Sequence, residues 1–455
     1  MKKTLTAIIA LLLSVLMLAS CGAASGNTSS ESQPSEPEQS TELGSADVTI
    51  TFWHSASDQA GVIMDEIVKS FNETNGKNIT VNAVYQGQYS DATSLLQTML
   101  SAKNYSDLPD IMQTDATGKV PYYNSGRALT IDDALSRDLI DSTYVGNFIP
   151  AAPSNWKFSN VQLGVPFATS TTVTFYNKTL IDSMGWDHIP ESLTDLTAIY
   201  NADPSIEKAA LQAIPNTPSL ANWLGQDGSY LVDQNNGTEG NATKLECIDN
   251  GALKKFLTVW KELYESGALL NEDTSKDAFI AGNIPFLITS SSNTAAIVSA
   301  TEESFETGAM GMLKVDDSSA AGATVSGSCI VLFDSEDDLK IKASAEFLKY
   351  LTSDDVQAKF ASGTGYIPGT YSSVDSAEYQ KVIEEHPQYK AAYEQLMSTP
   401  ENMKSVTVGP SADFYYAIID SVSGMLSNNA SVEDTVAGMN DQLTLLLEEY
   451  AGNNS

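Results

Sequence analysis

Three cysteines, three histidines and 24 basic residues are what this 455-residue chain has least of, and each scarcity narrows what it can do. The 24 Lys and Arg face 58 Asp and Glu, a formal net charge of −34 that repels nucleic acid and anionic lipid head groups. His54, His188 and His386 are too few and too scattered for the common histidine-based catalytic signatures, and the chain has no G-x-S-x-G elbow, no H-E-x-x-H and no phosphate-binding Walker loop. Acidic residues are so numerous that a glycosidase-like carboxylate pair can be neither supported nor dismissed by counting. The run Asp233-Gln-Asn235-Asn-Gly237 suggests a calcium loop, yet glycine stands where a third ligand belongs and position twelve is Lys244, so it reads as a turn. No apolar run reaches the roughly 20 residues that span a bilayer.

The longest apolar run, Leu5 to Met17, follows Lys2 and Lys3 and ends in small residues before Cys21. That order is the pattern of an export signal. The stretch Leu-Ala-Ser-Cys is similar to the lipobox of bacterial lipoproteins, which implies that residues 1–20 are removed and that Cys21 carries the acyl anchor. An ordinary secretory signal is the alternative. Residues 21–46 are rich in Ser, Glu, Pro, Thr, Gln and Gly and read as a disordered tether. Cys247 and Cys329 can pair in an exported chain, but their separation does not establish a disulfide. The remaining residues exceed what one core usually accommodates, so two lobes are expected.

What is present is an alternation of strand and helix. Val48 to Trp53 is a β-branched strand; Asp58 to Asn72 carries Ile63, Ile67 and Phe71 on one helical stripe, ended by Asn75-Gly76. Asn78 to Tyr85 is a second strand, Asp91 to Lys103 a second helix and Pro109 to Thr114 a third strand. Such a β-α-β-α-β order predicts right-handed crossovers and a largely parallel sheet with helices on both faces. Open sheets of this kind bind ligands beyond the carboxyl ends of their strands, which singles out Trp53 to Ser55, Gln86 to Tyr89 and Gln113 to Thr117. Further on, Thr169 to Thr172 is a run of four hydroxyl residues, Ser290 to Asn293 presents hydroxyls and amides before a helix, Thr324 to Phe333 is a strand, and Ser431 to Asp434 is a capping box opening the last helix.

Hydroxyl clusters near flat aromatics suit a sugar, which offers hydroxyl edges and apolar ring faces. Trp53, Tyr89, Trp223, Tyr366 and Phe414-Tyr415-Tyr416 are the candidate aromatics. The segments TFWHSASDQAG, VNAVYQGQY, LPDIMQTDATG, VPFATSTTVTFYNK, AFIAGNIPFLITSSSNTAAI, VSGSCIVLF and TGYIPGT, in this order and near this spacing, resemble family 1 extracellular solute-binding proteins of ABC transporters, above all the sn-glycerol-3-phosphate-binding type.

That resemblance covers nearly all of Val48 to Glu449 and implies an α/β two-lobe clamshell of type II, each lobe a sheet flanked by helices, joined by hinge strands. The implied boundaries are 47–166 with 285–325 for one lobe and 167–284 with 326–450 for the other. Carried over by motif, the ligand-contacting positions are Tyr89, Ser170, Ser290, Gly327 and Tyr366. Two positions depart: where the glycerol-phosphate binders carry a glutamate stands Ala116 beside Asp115, and where they carry an arginine stands Tyr415. Losing the guanidinium removes the fork that best holds a phosphate. The stretch Ser411 to Val422 looks more like that of maltose-type binders, in which an aromatic stacks on a sugar. The implied ligand is therefore a mono- or oligosaccharide, with a glycerol-phosphate, glycerophosphodiester or polyol as alternative. Trp53, His54, Asp115 and Trp223 complete the candidate contacts. The implied role is that of a monomeric, lipid-anchored receptor on the outer face of the cell membrane, without cofactor or metal, that delivers its ligand to permease subunits. A surface carbohydrate-active hydrolase is the rival from another class, and a sensor subunit for a membrane kinase is a third reading.

Overall fold

In the computed structural model, which describes residues 42–453 except 401, the alternation expected near the amino end is present. Strand β1 (Val48–His54) is followed by α1 (Asp58–Thr74), β2 (Ile79–Tyr85), α2 (Tyr89–Ser101) and β3 (Ile111–Thr114). The first strand pairs parallel with β2 from Val48↔Ile79 to His54↔Tyr85, and with β3 at Phe52↔Ile111 and Trp53↔Met112. Alternation explains the packing: Val48, Ile50 and Phe52 enter a core with Ile63, Ile67 and Phe71 of α1, while Trp53 points the other way. The expected signal peptide, Cys21 and all but the end of the tether lie outside the described residues.

The sheet is mixed rather than largely parallel. Three later strands, β4 (Val165–Asn177), β5 (Phe286–Ser290) and β6 (Thr307–Gly311), and then β7 (Val325–Phe333), extend it in the order β5-β4-β7-β3-β1-β2, with β6 also on β4. All pairings made by β4 and β7 are antiparallel. The cause is that β7 inserts between β3 and β4 and runs against both.

Two large cores flank these crossing strands. One gathers Ile50, Phe52, Ile67, Phe71, Phe167, Ile330 and Leu332 with residues of the helices α5 (Asp338–Leu351) and α6 (Asp354–Thr364); the other gathers Leu193, Trp223, Phe256, Trp260, Leu313, Phe414 and Ile418. The second is built from α3 (Thr217–Gln226), α4 (Ala252–Glu265), α7 (Ser411–Ser427) and α8 (Val432–Asn453), the last opened at Ser431, whose Oγ accepts from the Asp434 amide at 3.0 Å. Helices α5 and α6 contribute to the first core. Phe347 of α5 sits 5.2 Å from the Phe52 ring and 4.9 Å from Phe71, so 338–360 packs with the first core, not the second. Met312, Leu313, Val315 and Ala323 lie in the second core. Apolar faces choose their partner regardless of sequence neighbourhood, and the antiparallel β4 and β7 carry the chain between the two cores.

Where those strands cross, Gly327 has φ +98°, and a Cβ there would stand 1.9 Å from the Ala168 carbonyl oxygen. The register slips by one between Ser328 and Cys329. Only glycine allows both the left-handed backbone and the close approach of β4.

Candidate functional site

At the carboxyl ends of β2 and β3, and beside the crossing point, a set of hydroxyl and amide groups converges. Tyr89 opens α2, and its position is set by a reciprocal cap in which the Gln88 amide donates to Asp91 Oδ2 at 3.0 Å. Gln113 of β3 donates from Nε2 to Ser328 Oγ at 2.9 Å and to the Tyr89 hydroxyl at 3.3 Å. Ser328 is also within hydrogen-bonding reach of Tyr89, and the Tyr366 hydroxyl is within reach of Tyr89 and Ser292. Ser290 closes the series: its Oγ accepts from the Ser292 amide at 3.3 Å and shares a 2.9 Å bond with Ser292 Oγ. The network thus runs from Gln113 through Tyr89 and Tyr366 to the turn after β5.

Burial raises the pKa of Tyr89 and Tyr366, with the Asp115 carboxylate adding to the effect on Tyr89. Both remain neutral hydroxyls able to donate and accept. Ser170 is buried on β4 opposite Ser326, next to Gly327, and the isolated bridge Thr169↔Ile367 ties the same stretch to the Tyr366 loop. The structure therefore brings Tyr89, Asp115, Ser170, Ser290, Gly327 and Tyr366 to one region. Of the four hydroxyls from Thr169 to Thr172, the last two do structural work: Thr171 Oγ1 accepts from Gln395 Nε2 at 2.9 Å, and Thr172 Oγ1 accepts from Asn222 of α3 at 3.3 Å.

Tyr415 lies on α7, half-buried, and its hydroxyl accepts from Asn216, the cap of α3, at 3.4 Å. Tyr416 beside it is exposed, its ring edge-on to Tyr415 at 5.4 Å. Tyr415 thus connects to the rest through α3, whose Asn222 reaches Thr172, the partner of Ser290 across β4 and β5.

Two of the candidate aromatics lie in the cores. Trp53, 5 % exposed, packs with Leu96, Met112, Tyr122 and Trp156. Trp223, 1 % exposed, stacks on Phe256 at 5.1 Å and donates its indole N–H to the Leu313 carbonyl at 3.1 Å. Both are core residues, because each falls on the inward face of its element. His54 is buried, its ring 5.5 Å from Phe52 and 5.9 Å from Tyr85, with its pKa lowered by burial against the pull of Asp65.

Residue-type reasoning missed Ser328 and Lys119 as members of this region, whereas Gln113 and Ser292 fall in the stretches 113–117 and 290–293 that the sequence singles out. A polar residue inside the short apolar strand IMQT is a further signal for Gln113. Lys119 is 1 % exposed and donates to the Asn155 carbonyl at 3.0 Å; burial pushes its pKa down to about 8, against Cys329 and Asp115. The Asp233 turn is left-handed, with φ near +55° at Gln234, Asn235 and Asn236, and Asn236 Oδ1 accepts the Leu231 and Val232 amides. Among the described residues no group of three or more His, Cys, Asp or Glu is placed to hold a metal ion, and no helix is long and apolar enough to cross a membrane.

The fold recurs in solved structures. The cyclic α-maltosyl-1,6-maltose binding protein from Arthrobacter globiformis superposes with a TM-score of 0.74 at 18 % identity over 89 % of this chain and 100 % of that one. The Mycobacterium tuberculosis protein UgpB, solved with glycerophosphocholine, gives 0.71 at 18 % identity over 89 % and 99 %. In sequence, the sn-glycerol-3-phosphate-binding periplasmic protein of Yersinia pestis is 24 % identical over 362 residues, covering 77 % of this chain and 81 % of the relative. The model of the bacterial extracellular solute-binding protein family matches residues 66–391, well over half of the chain, and to that family this protein belongs.

Proposed function

We propose that the protein captures a carbohydrate, a mono- or oligosaccharide, outside the cytoplasmic membrane and delivers it unaltered to the permease of an ABC importer. The observation that carries this reading is the site's composition: Gln113, Tyr89, Ser328, Tyr366, Ser292 and Ser290 form a continuous network of neutral hydroxyl and amide groups. Such groups match the hydroxyl edge of a sugar. Tyr415 supplies an aromatic face, where the glycerol-phosphate binders carry an arginine. Both kinds of ligand occur among the similar proteins, cyclic maltosyl-maltose in one and glycerophosphocholine in another. A glycerophosphodiester or polyol is the second reading for this reason.

Acylation at Cys21, attachment to the cell membrane and action as a monomer belong to the same proposal. So does the absence of catalysis, which sets it apart from a surface hydrolase.

The test is a thermal-shift screen of the full chain against maltose, maltotriose, glycerol, glycerophosphocholine and sn-glycerol-3-phosphate. A ligand that binds only the native state at a hundredfold excess over its dissociation constant adds about 2.7 kcal/mol of stability. A shift with a neutral sugar, recovered intact, supports the reading; a shift with sn-glycerol-3-phosphate alone overturns it. Tyr415→Ala should then weaken the sugar by at least about tenfold, near 1.4 kcal/mol, without lowering the ligand-free melting temperature by more than a few degrees.

A further inference from the structure

One member of the hydroxyl network has an atom in reserve. Gln113 is 1 % exposed; both of its amide bonds leave from Nε2, to Ser328 and Tyr89, while its buried Oε1 has no partner. Turning the amide over does not remove the problem. The oxygen would then take the two hydroxyls, and the NH2 would face the gap. In either orientation one end of the amide stays open, whereas a glutamine with a purely architectural role is satisfied at both ends.

A second open group lies close by in the chain order of the sheet. The parallel register Phe52↔Ile111, Trp53↔Met112 sets His54 beside Gln113 at its next step. Ser55 follows directly, and its buried Oγ also lacks a partner. Three unpartnered polar atoms, Gln113 Oε1, His54 Nδ1 and Ser55 Oγ, thus belong to the carboxyl ends of neighbouring strands.

We propose that Gln113 is a specificity-determining residue of the site, its open amide end reading a hydroxyl of the ligand. This rests on the carbohydrate reading above. A sugar or polyol hydroxyl both donates and accepts, so it satisfies the amide in whichever orientation Tyr89 and Ser328 hold it. A phosphate dianion only accepts; it is served only if the amide turns over, and it must also sit beside the Asp115 carboxylate that acts on Tyr89.

Titration calorimetry on the full chain tests this with maltotriose, glycerophosphocholine and sn-glycerol-3-phosphate as probes. Gln113→Met keeps the length and removes the polar end. Its expected result is at least a tenfold loss of affinity for the neutral probe, with a ligand-free melting temperature equal to or above that of the wild type. Unchanged affinity for every probe the wild type binds, with a lower melting temperature, makes Gln113 architectural and overturns the proposal. Should that variant fail to fold, Gln113→Glu, which keeps the acceptor, is expected to hold maltotriose while weakening any phosphate probe at least tenfold; an equal loss for both kinds of probe, or none, overturns it. A wild type that binds only sn-glycerol-3-phosphate overturns the hydroxyl preference. A wild type that binds no probe overturns the carbohydrate reading, and the inference falls with it.

Discussion

Lys119 is the one lysine among the described residues that is fully enclosed. With its folded pKa near 8 against an ordinary value of 10.5, the unfolded state binds a proton between those values that the native state has released. Stability therefore rises with pH across that window, and below about pH 8 the native state carries the whole penalty of a buried charge. The shift corresponds to something on the order of 3 kcal/mol. Lys119→Met should abolish the rise in melting temperature between pH 8 and 10 and stabilise the protein at neutral pH, less what is lost with the bond to Asn155; a wild-type profile that is flat or falls over that range contradicts the account. The residue scale is also where the sequence was least legible. Trp53 and Tyr89 are both aromatics near a strand's carboxyl end, yet one enters the core and the other the hydroxyl network. The difference is the face of β1 for the first and a cap that orients the helix start for the second, and side-chain type reports neither.

Elements were far easier to read than directions. The stripe Ile63, Ile67, Phe71 and the strands flanking it declare themselves through local periodicity. That β7 would run antiparallel beside β3 depends on contacts 215 residues apart, as between Gln113 and Ser328, which no local pattern encodes. Gly327 was singled out from its motif for contact with a ligand; the structure gives it a backbone reason to be glycine, the passage of β4 against β7. Gly327→Ala should destabilise the protein by at least about 2 kcal/mol in a denaturant titration. Gly185, with φ +72° but no atom within 4 Å of where a Cβ would stand, is the control, and Gly185→Ala should lose only the cost of the left-handed angle, about 1–2 kcal/mol, and less than Gly327→Ala. Equal losses at both would mean that backbone angle alone, not the crossing, sets the requirement.

At the scale of the whole molecule, the two remaining cysteines belong to different cores. Cys247 lies with Trp223 and Trp260, and Cys329 with Trp53 and Trp156; both are free and buried, and burial raises the pKa of each, to about 12 at Cys247. Peptide mapping after exposure of the native, unreduced protein to a thiol reagent should find neither labelled, and both labelled once denaturant is added without reductant. Retention of a bond between them after denaturation would contradict this arrangement. The two-lobe expectation was readable from length and composition, but the assignment of 285–325 and 338–360 to their cores was not, because it depends on which apolar faces meet after long excursions of the chain.

The insertion of β7 between β3 and β4 has a consequence in time as well as in space. As the chain is synthesised, β1, β2 and β3 are complete long before Val325 appears, yet their sheet ends at β3 with an unfilled edge, and α5, whose Phe347 packs on Phe52 and Phe71, comes later still. The amino-terminal body is thus unable to finish folding until more than two thirds of the polypeptide exists. Long-range pairing of this kind is slow to form, so the first strands to be made wait, incompletely covered, for a strand made after most of the chain.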